Sequence, residues 1–147
     1  MYRHVLIPTD GSAASAHAAR QGVAVAKAMG ARVTGLFVAP APTPIVFEGL
    51  LPVGYVQPEE HANLSAAAAA RFLGVIDKAA AEAGVPFEGV TLTGEYPADA
   101  ILAEAAARKC DLIVMASHGR RGLAHALLGS ETQKVLARAK IPVLVCR

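Results

Sequence analysis

Two small-residue stretches, both in the last third of the chain, carry the residue types that suit holding a phosphate. The first, Ala116-Ser117-His118-Gly119, directly follows the apolar run Leu112-Ile113-Val114-Met115. The second is the pair Gly129-Ser130, which opens a helix predicted from Glu131 to about Ala139. Ser130 with Gln133 fits a capping box and predicts Ser130 as the N-cap. A helix N-terminus presents unpaired N–H groups and the positive end of the dipole, so it attracts anions. Glycines at 119, 122 and 129 let backbone approach a ligand closely, and Arg120 and Arg121 add guanidinium groups that suit phosphate. Ser117 can give a phosphate its hydroxyl or close its own turn. The whole stretch reads as a phosphate cradle at the end of a central strand, with Met115 and Glu131 on its borders.

Asp10 is the matching group elsewhere in the chain. It follows the apolar strand Tyr2 to Pro8 and, with Thr9, ends it; its carboxylate can accept from a ribose hydroxyl or a base amino group. Capping of the following helix, alone or with Ser12, is the other reading of the same residue. His118 is a residue type suited to acid–base work. No nucleophile or metal partner stands at motif spacing, so it reads as a structural or phosphate-contacting histidine. His4, His17, His61 and His125 read as surface or packing residues, and no cluster has metal-ligand spacing. A P-loop, a G-x-G-x-x-G after a strand and a G-x-S-x-G elbow are all absent from the sequence. A response-regulator receiver needs an acidic cluster, an aspartate after the third strand and a lysine after the fifth. The chain offers Gly94-Glu95 at the first place and stops soon after the last strand.

These turns have to be positioned by alternating strands and helices. The strand over residues 2–8 is followed by a helix that Ser12 can cap, with Ala16, Ala19, Val23 and Ala26 on its core face and Gly30 as its stop. A second strand runs from Arg32 to about Val38. From Ala39 to Pro58, five prolines and two glycines exclude a long regular element, yet Ile45, Phe47, Leu50 and Tyr55 are too apolar for a free linker. This segment reads as a surface loop folded over a ligand cleft or a partner subunit. The longest helix spans Glu59 to Ala83. A weaker strand from Pro86 to about Thr93 sits at an edge, and Pro97 starts a helix with Arg108-Lys109 at its negative end. The closing strand runs from Pro142 to Cys146. This alternation predicts an α/β fold, a parallel sheet covered on both faces by right-handed crossovers.

The cradle resembles the nucleotide-binding branch of the universal stress protein family, whose signature is Gly-x2-Gly-x9-Gly-Ser/Thr. Here the spacing is kept as Ala116, Gly119 and Gly129-Ser130, with alanine for the first glycine. The opening HVLIPTDGS, the PADAIL helix start and the closing IPVLVCR fit it too, so the resemblance covers the whole chain as one domain, 1–147. It implies a doubly wound five-stranded parallel sheet of order 3-2-1-4-5, adenine-nucleotide alpha-hydrolase-like. In that order a crevice opens where the ends of the first and fourth strands diverge. The resemblance further implies ATP or a related adenine nucleotide, with or without Mg, held there. Pro8, Thr9 and Asp10 would line one lip, with Val38 against the adenine. On the other lip would stand Ala116, Ser117, His118, Gly119 and Arg120, and beyond them Gly122, Gly129, Ser130 and Glu131. Ala116 would lie against phosphates or ribose, where its methyl either blocks approach or points away. The family also implies a homodimer through Ile141–Cys146, and at most slow ATP hydrolysis. A dimeric scaffold member that binds no nucleotide is the alternative.

Composition narrows the partner classes. The chain has 147 residues and a net charge of +2, too weak to argue for nucleic acid without aromatic–basic interleaving. No apolar run is long enough to span a bilayer and no secretory leader precedes the first strand, so a cytoplasmic protein is expected. Cys110 and Cys146 are far apart and read as reduced, inert thiols.

Overall fold

Strand β1 (His4–Thr9) is buried along nearly its whole length, which is why its Val-Leu-Ile run needs no polar alternation. The structure, a computed structural model, describes residues 1–42, 46–48, 51–53, 56–120 and 128–147, at 46–48 and 51–53 the backbone only. After β1 come α1 (Ala13–Met29), β2 (Arg32–Ala39), the short strands β3 (Val46–Glu48) and β4 (Leu51–Val53), and α2 (Pro58–Ala83). The chain then forms β5 (Phe87–Thr93), α3 (Pro97–Ala107), β6 (Leu112–Ala116), α4 (Ser130–Arg138) and β7 (Val143–Cys146).

The main sheet has five parallel strands in the order β5-β2-β1-β6-β7, which is 3-2-1-4-5 when only its own strands are counted. Alternate side chains divide its core between two faces. Val5, Ile7, Val33 and Val114 pack with α1 and α2, while Leu6, Leu36, Ile113 and Met115 pack with α3 and α4. Both faces are covered, as the continuous apolar runs require.

Pairing along β1 is uneven, and the unevenness shapes the site. Its ladder to β2 continues from His4↔Arg32 to Thr9↔Phe37, but its ladder to β6 contains only Val5↔Leu112 and Leu6↔Ile113. Beyond Ile113, β6 stays paired with β7 as far as Ala116↔Cys146. The sheet therefore parts between β1 and β6 over its last residues. Pro8, a residue with no N–H to give a ladder, lies in that parted region.

Helix ends follow local chemistry. Ser12 caps α1, its Oγ accepting from the Ser15 amide at 3.1 Å. Helices α1, α2 and α3 all stop in one pattern, a left-handed residue flanked by backbone bonds. Ala31 N donates to Ala26 O, Val85 N to Ala80 O and Cys110 N to Ala105 O. The left-handed residue is Gly30 (φ 65°) in α1, Gly84 (φ 70°) in α2, and Lys109 (φ 54°) in α3.

Two expectations change, and the open reading of His4 as a surface or packing residue resolves to packing. Ser130 is the first helical residue of α4, not its cap; Gly129, extended at φ −58° and ψ 153°, takes that place and accepts the Gln133 N–H. The capping-box pattern fits one position late because Gln133 turns its side chain to the Leu128 carbonyl. In the proline-rich segment the antiparallel pair β3–β4 appears where only a loop was read. Strands of three residues are too short to show periodicity. His4 is buried, with Nε2 2.8 Å from Thr34 Oγ1 and Nδ1 3.1 Å from the Arg108 carbonyl. A carbonyl only accepts, so Nδ1 carries the proton and Thr34 donates to Nε2.

Candidate functional site

Where β1 and β6 part, the turns that follow them face each other, and Asp10 joins them. Asp10 Oδ1 accepts the Ser12 amide at 3.0 Å and Oδ2 accepts the Arg120 amide at 2.9 Å. Both sequence readings of Asp10 thus describe part of its role: it helps start α1 and it also holds the turn after β6. Burial alone would raise its pKa, but hydrogen bonds from Ser12 and from the Arg120 amide outweigh that and hold the carboxyl below its usual value. It is an anion, and with two of its roughly four acceptor positions used it can accept more.

Gly119 is fixed by the same carboxylate. A Cβ built on it overlaps Asp10 Oδ2, so no side chain fits while that bridge stands. Gly129 is similarly close to the other arm of the turn: its Cβ would lie 3.1 Å from His118 Cα. Its amide donates to the Ser117 carbonyl at 2.7 Å, while the Ser117 amide donates to the Cys146 carbonyl at 2.8 Å. Ser117 is buried, with Oγ 3.0 Å from His118 Nδ1, so its hydroxyl is engaged within the turn.

Helix α4 begins beside this turn, tied to β6 by Thr132, whose hydroxyl donates to the Ala116 carbonyl at 2.9 Å. No side chain among the described residues caps it. The amides of Ser130, Glu131 and Thr132 meet no acceptor among the described residues, and neither does the exposed Ser130 hydroxyl. Glu131 does not add a free negative charge here. Its carboxylate accepts the Ala98 amide at 2.8 Å, satisfying the start of α3, and pairs with Lys134. Arg138 and Asp99 make a second link between the two helices.

Side-chain direction separates the remaining candidates. Val38 and Met115 belong to the α3/α4 face, the face that carries the α4 N-terminus. Ala116 follows Met115 by one residue, so strand alternation puts its methyl on the Val114 side, toward α1. Arg120 also turns away. Its guanidinium lies over the Phe72 ring of α2, 4.9 Å from the centroid, on the other side of the sheet. The structure thus brings Thr9, Asp10, Gly119 and the Arg120 backbone together, but not the Arg120 side chain with the α4 N-terminus. Arg121, Gly122 and His125, and residues 43–45, 49–50 and 54–55 of the segment from 39 to 58, lie outside the described residues. The role of Glu131 as a cap for α3 had no sequence signal, because the partners are 33 positions apart. Among the described residues no group of His, Cys, Asp and Glu is arranged to hold a metal, and no helix is long and apolar enough to cross a membrane.

Comparison with known proteins gives consistent results. The model of the universal stress protein family matches residues 1–147. Universal stress protein MJ0531 of Methanocaldococcus jannaschii is 35% identical over 147 residues, covering 100% of this chain and 83% of its own. A universal stress protein of Thermus aquaticus is 37% identical over 151 residues, with full coverage of both chains. Among solved structures, a universal stress protein in complex with cAMP superposes with a TM-score of 0.69 at 26% identity, covering 99% of this chain and 97% of that one.

Proposed function

Since the chain belongs to the universal stress protein family, we propose that it binds an adenine nucleotide, ATP or a close relative, in the opening between β1 and β6. The observation that carries this reading is the uncapped N-terminus of α4. Its first amides and the Ser130 hydroxyl, which meet no partner among the described residues, stand at the end of a parted sheet, where open α/β sheets bind ligands. A similar protein solved with cAMP supports the adenine nucleotide class.

In this reading the phosphates sit on the amides of Ser130 to Thr132 and beside Gly129. The adenine packs along Val38 and Met115, on the same face of the sheet. Asp10 has acceptor positions left for a ribose hydroxyl or the base amino group while it keeps the Arg120 amide. Pro8 and Thr9 complete that lip. Mg, if carried in, arrives with the nucleotide rather than on a cluster of protein carboxylates. The binding unit is a two-fold dimer formed along β7, and its role is to sense or carry the nucleotide in a stress response inside the cell.

Ser130→Asp is the sharpest test, because it acts oppositely on fold and ligand. An acidic residue in the first turn favours the helix, worth about 0.3–1 kcal/mol, whereas it repels phosphate. Calorimetric titration should show ATP weakened at least about tenfold, a change of roughly 1.4 kcal/mol, with adenosine little affected and the melting temperature held or raised. Equal loss for adenosine and ATP, or ATP bound as tightly as by the parent, rules out phosphate at α4. Mass spectrometry of the freshly purified, denatured protein then identifies the nucleotide carried.

A further inference from the structure

A cavity of about 310 Å³ lies between α1 and α2, on the opposite side of the sheet from Val38 and Met115. Its inner wall is apolar, made by Ala16 and Ala19 of α1 and by Val75 and Ile76 of α2. Arg71 and Arg120 stand at its rim, and among the described residues no carboxylate lines it.

Both guanidiniums rest on one aromatic ring. Arg71 lies 5.0 Å and Arg120 4.9 Å from the centroid of Phe72. The ring is itself held, edge-on to Phe37 at 5.2 Å and pressed against Gly11, where a Cβ would overlap it. Cation–π contact therefore fixes two long side chains that would otherwise lose entropy on meeting a ligand. Among the described residues neither arginine has an acidic partner, whereas Arg108 pairs with Glu88 and Glu104, and Arg138 with Asp99. The nearby hydroxyls are occupied. Ser15 donates to the Ser12 carbonyl at 2.9 Å, so Thr9 donates to Ser15.

Two ordered cations, without an acidic partner among the described residues, form over a half-apolar hollow a site for an anion with a hydrophobic body. The volume is at the low end of small-molecule pockets, roughly 300–1,000 Å³, and suits something near the size of a phenyl ring with a head group. We propose that this cavity is a second ligand site, separate from the nucleotide crevice, for a small amphipathic oxyanion. A carboxylate or phosphate head meets Arg71 and Arg120, and a short aliphatic or aromatic body lies against the alanine, valine and isoleucine wall.

Calorimetric titration with phenyl phosphate, hexanoate and inorganic phosphate tests this on the full chain. Phenyl phosphate or hexanoate should saturate at millimolar concentration, and whichever binds tighter identifies the head group; inorganic phosphate, lacking the body, should bind at least about tenfold more weakly. Arg71→Gln should weaken the organic probe by about tenfold with an unchanged melting temperature, and Arg71→Lys should restore part of the loss. Saturating adenosine should leave the probe titration unchanged, and Arg71→Gln should leave the ATP titration unchanged, so failure here and failure of the nucleotide reading are separate results. The proposal is overturned by the absence of saturable binding of both organic probes, by equal affinity in Arg71→Gln, by inorganic phosphate binding as well as they do, or by their displacement with adenosine.

Discussion

At the scale of single residues, the departure from the signature glycine turns on where its methyl points. In sequence, Ala116 reads equally as a methyl in the way of phosphate or one pointing aside. Strand alternation against Val114 and Met115 decides for the second, with the methyl buried on the α1 side. Ala116→Gly should therefore leave ATP affinity within about twofold, less than 0.5 kcal/mol, while costing roughly 0.5–1 kcal/mol of stability; titration and thermal melts on one variant check both. His4 sets a different dependence. Burial, and then the charge of Arg32, lower its pKa from 6.5, against the pull of the Arg108 carbonyl and Asp111. The unfolded chain then takes up a proton at a pH where the folded one does not. Stability is complete above 6.5 and declines as pH falls from 6.5 toward the folded value. Asp10 and Asp111, lowered from 3.8, add their own loss only in more acidic solution. Denaturant melts across that range should show a slope in the parent that His4→Asn removes, and a flat parent would contradict the burial argument.

At the scale of elements, what was legible depended on whether the signal was local. Ser12 before an alanine-rich helix, Gly30 and Gly84 after their helices, and Pro97 at a helix start each declare themselves within a few residues, and each sits where it was read. The contact of Arg120 with Phe72 joins residues from separate elements and left no trace in any short window. Gln133 even misled, since its spacing from Ser130 imitates a cap that Gly129 supplies. Lys109 is the instructive case. It holds the left-handed position that glycine holds in α1 and α2, yet lysine gives no hint of positive φ. Inside a helix alanine outranks glycine for stability, but at this left-handed position the order should invert. Lys109→Gly should be more stable than Lys109→Ala by about 1 kcal/mol, a difference of roughly 2–4 °C in melting temperature. Both variants lose the same charge, so the comparison isolates the backbone.

At the scale of the whole molecule, the sheet order places β5 and β7 at its two edges. Strand β7 is four residues long, apolar, and only partly covered, with Leu144 40% exposed. Unprotected edges of this kind invite pairing, and two-fold association is the commonest form. Sedimentation at micromolar concentration should give twice the 15.1 kDa chain mass, and Leu144→Lys should shift the species toward the monomer. A parent that sediments as a monomer removes the dimer from the reading. The other end of β6 has a use of its own. Cys110, buried just before that strand, has its thiol pushed up to about 11 by burial. Near neutral pH it offers almost no thiolate, and its sulfur is shielded from reagents while the core is closed. The chain thus contains its own opening clock. In Cys146→Ser, the rate at which iodoacetamide modifies Cys110 should track the rare excursions that expose the centre of the sheet, and its dependence on denaturant should have the slope of global unfolding. A shallow slope would instead locate a hinge at the α3–β6 junction, where Lys109 turns the chain.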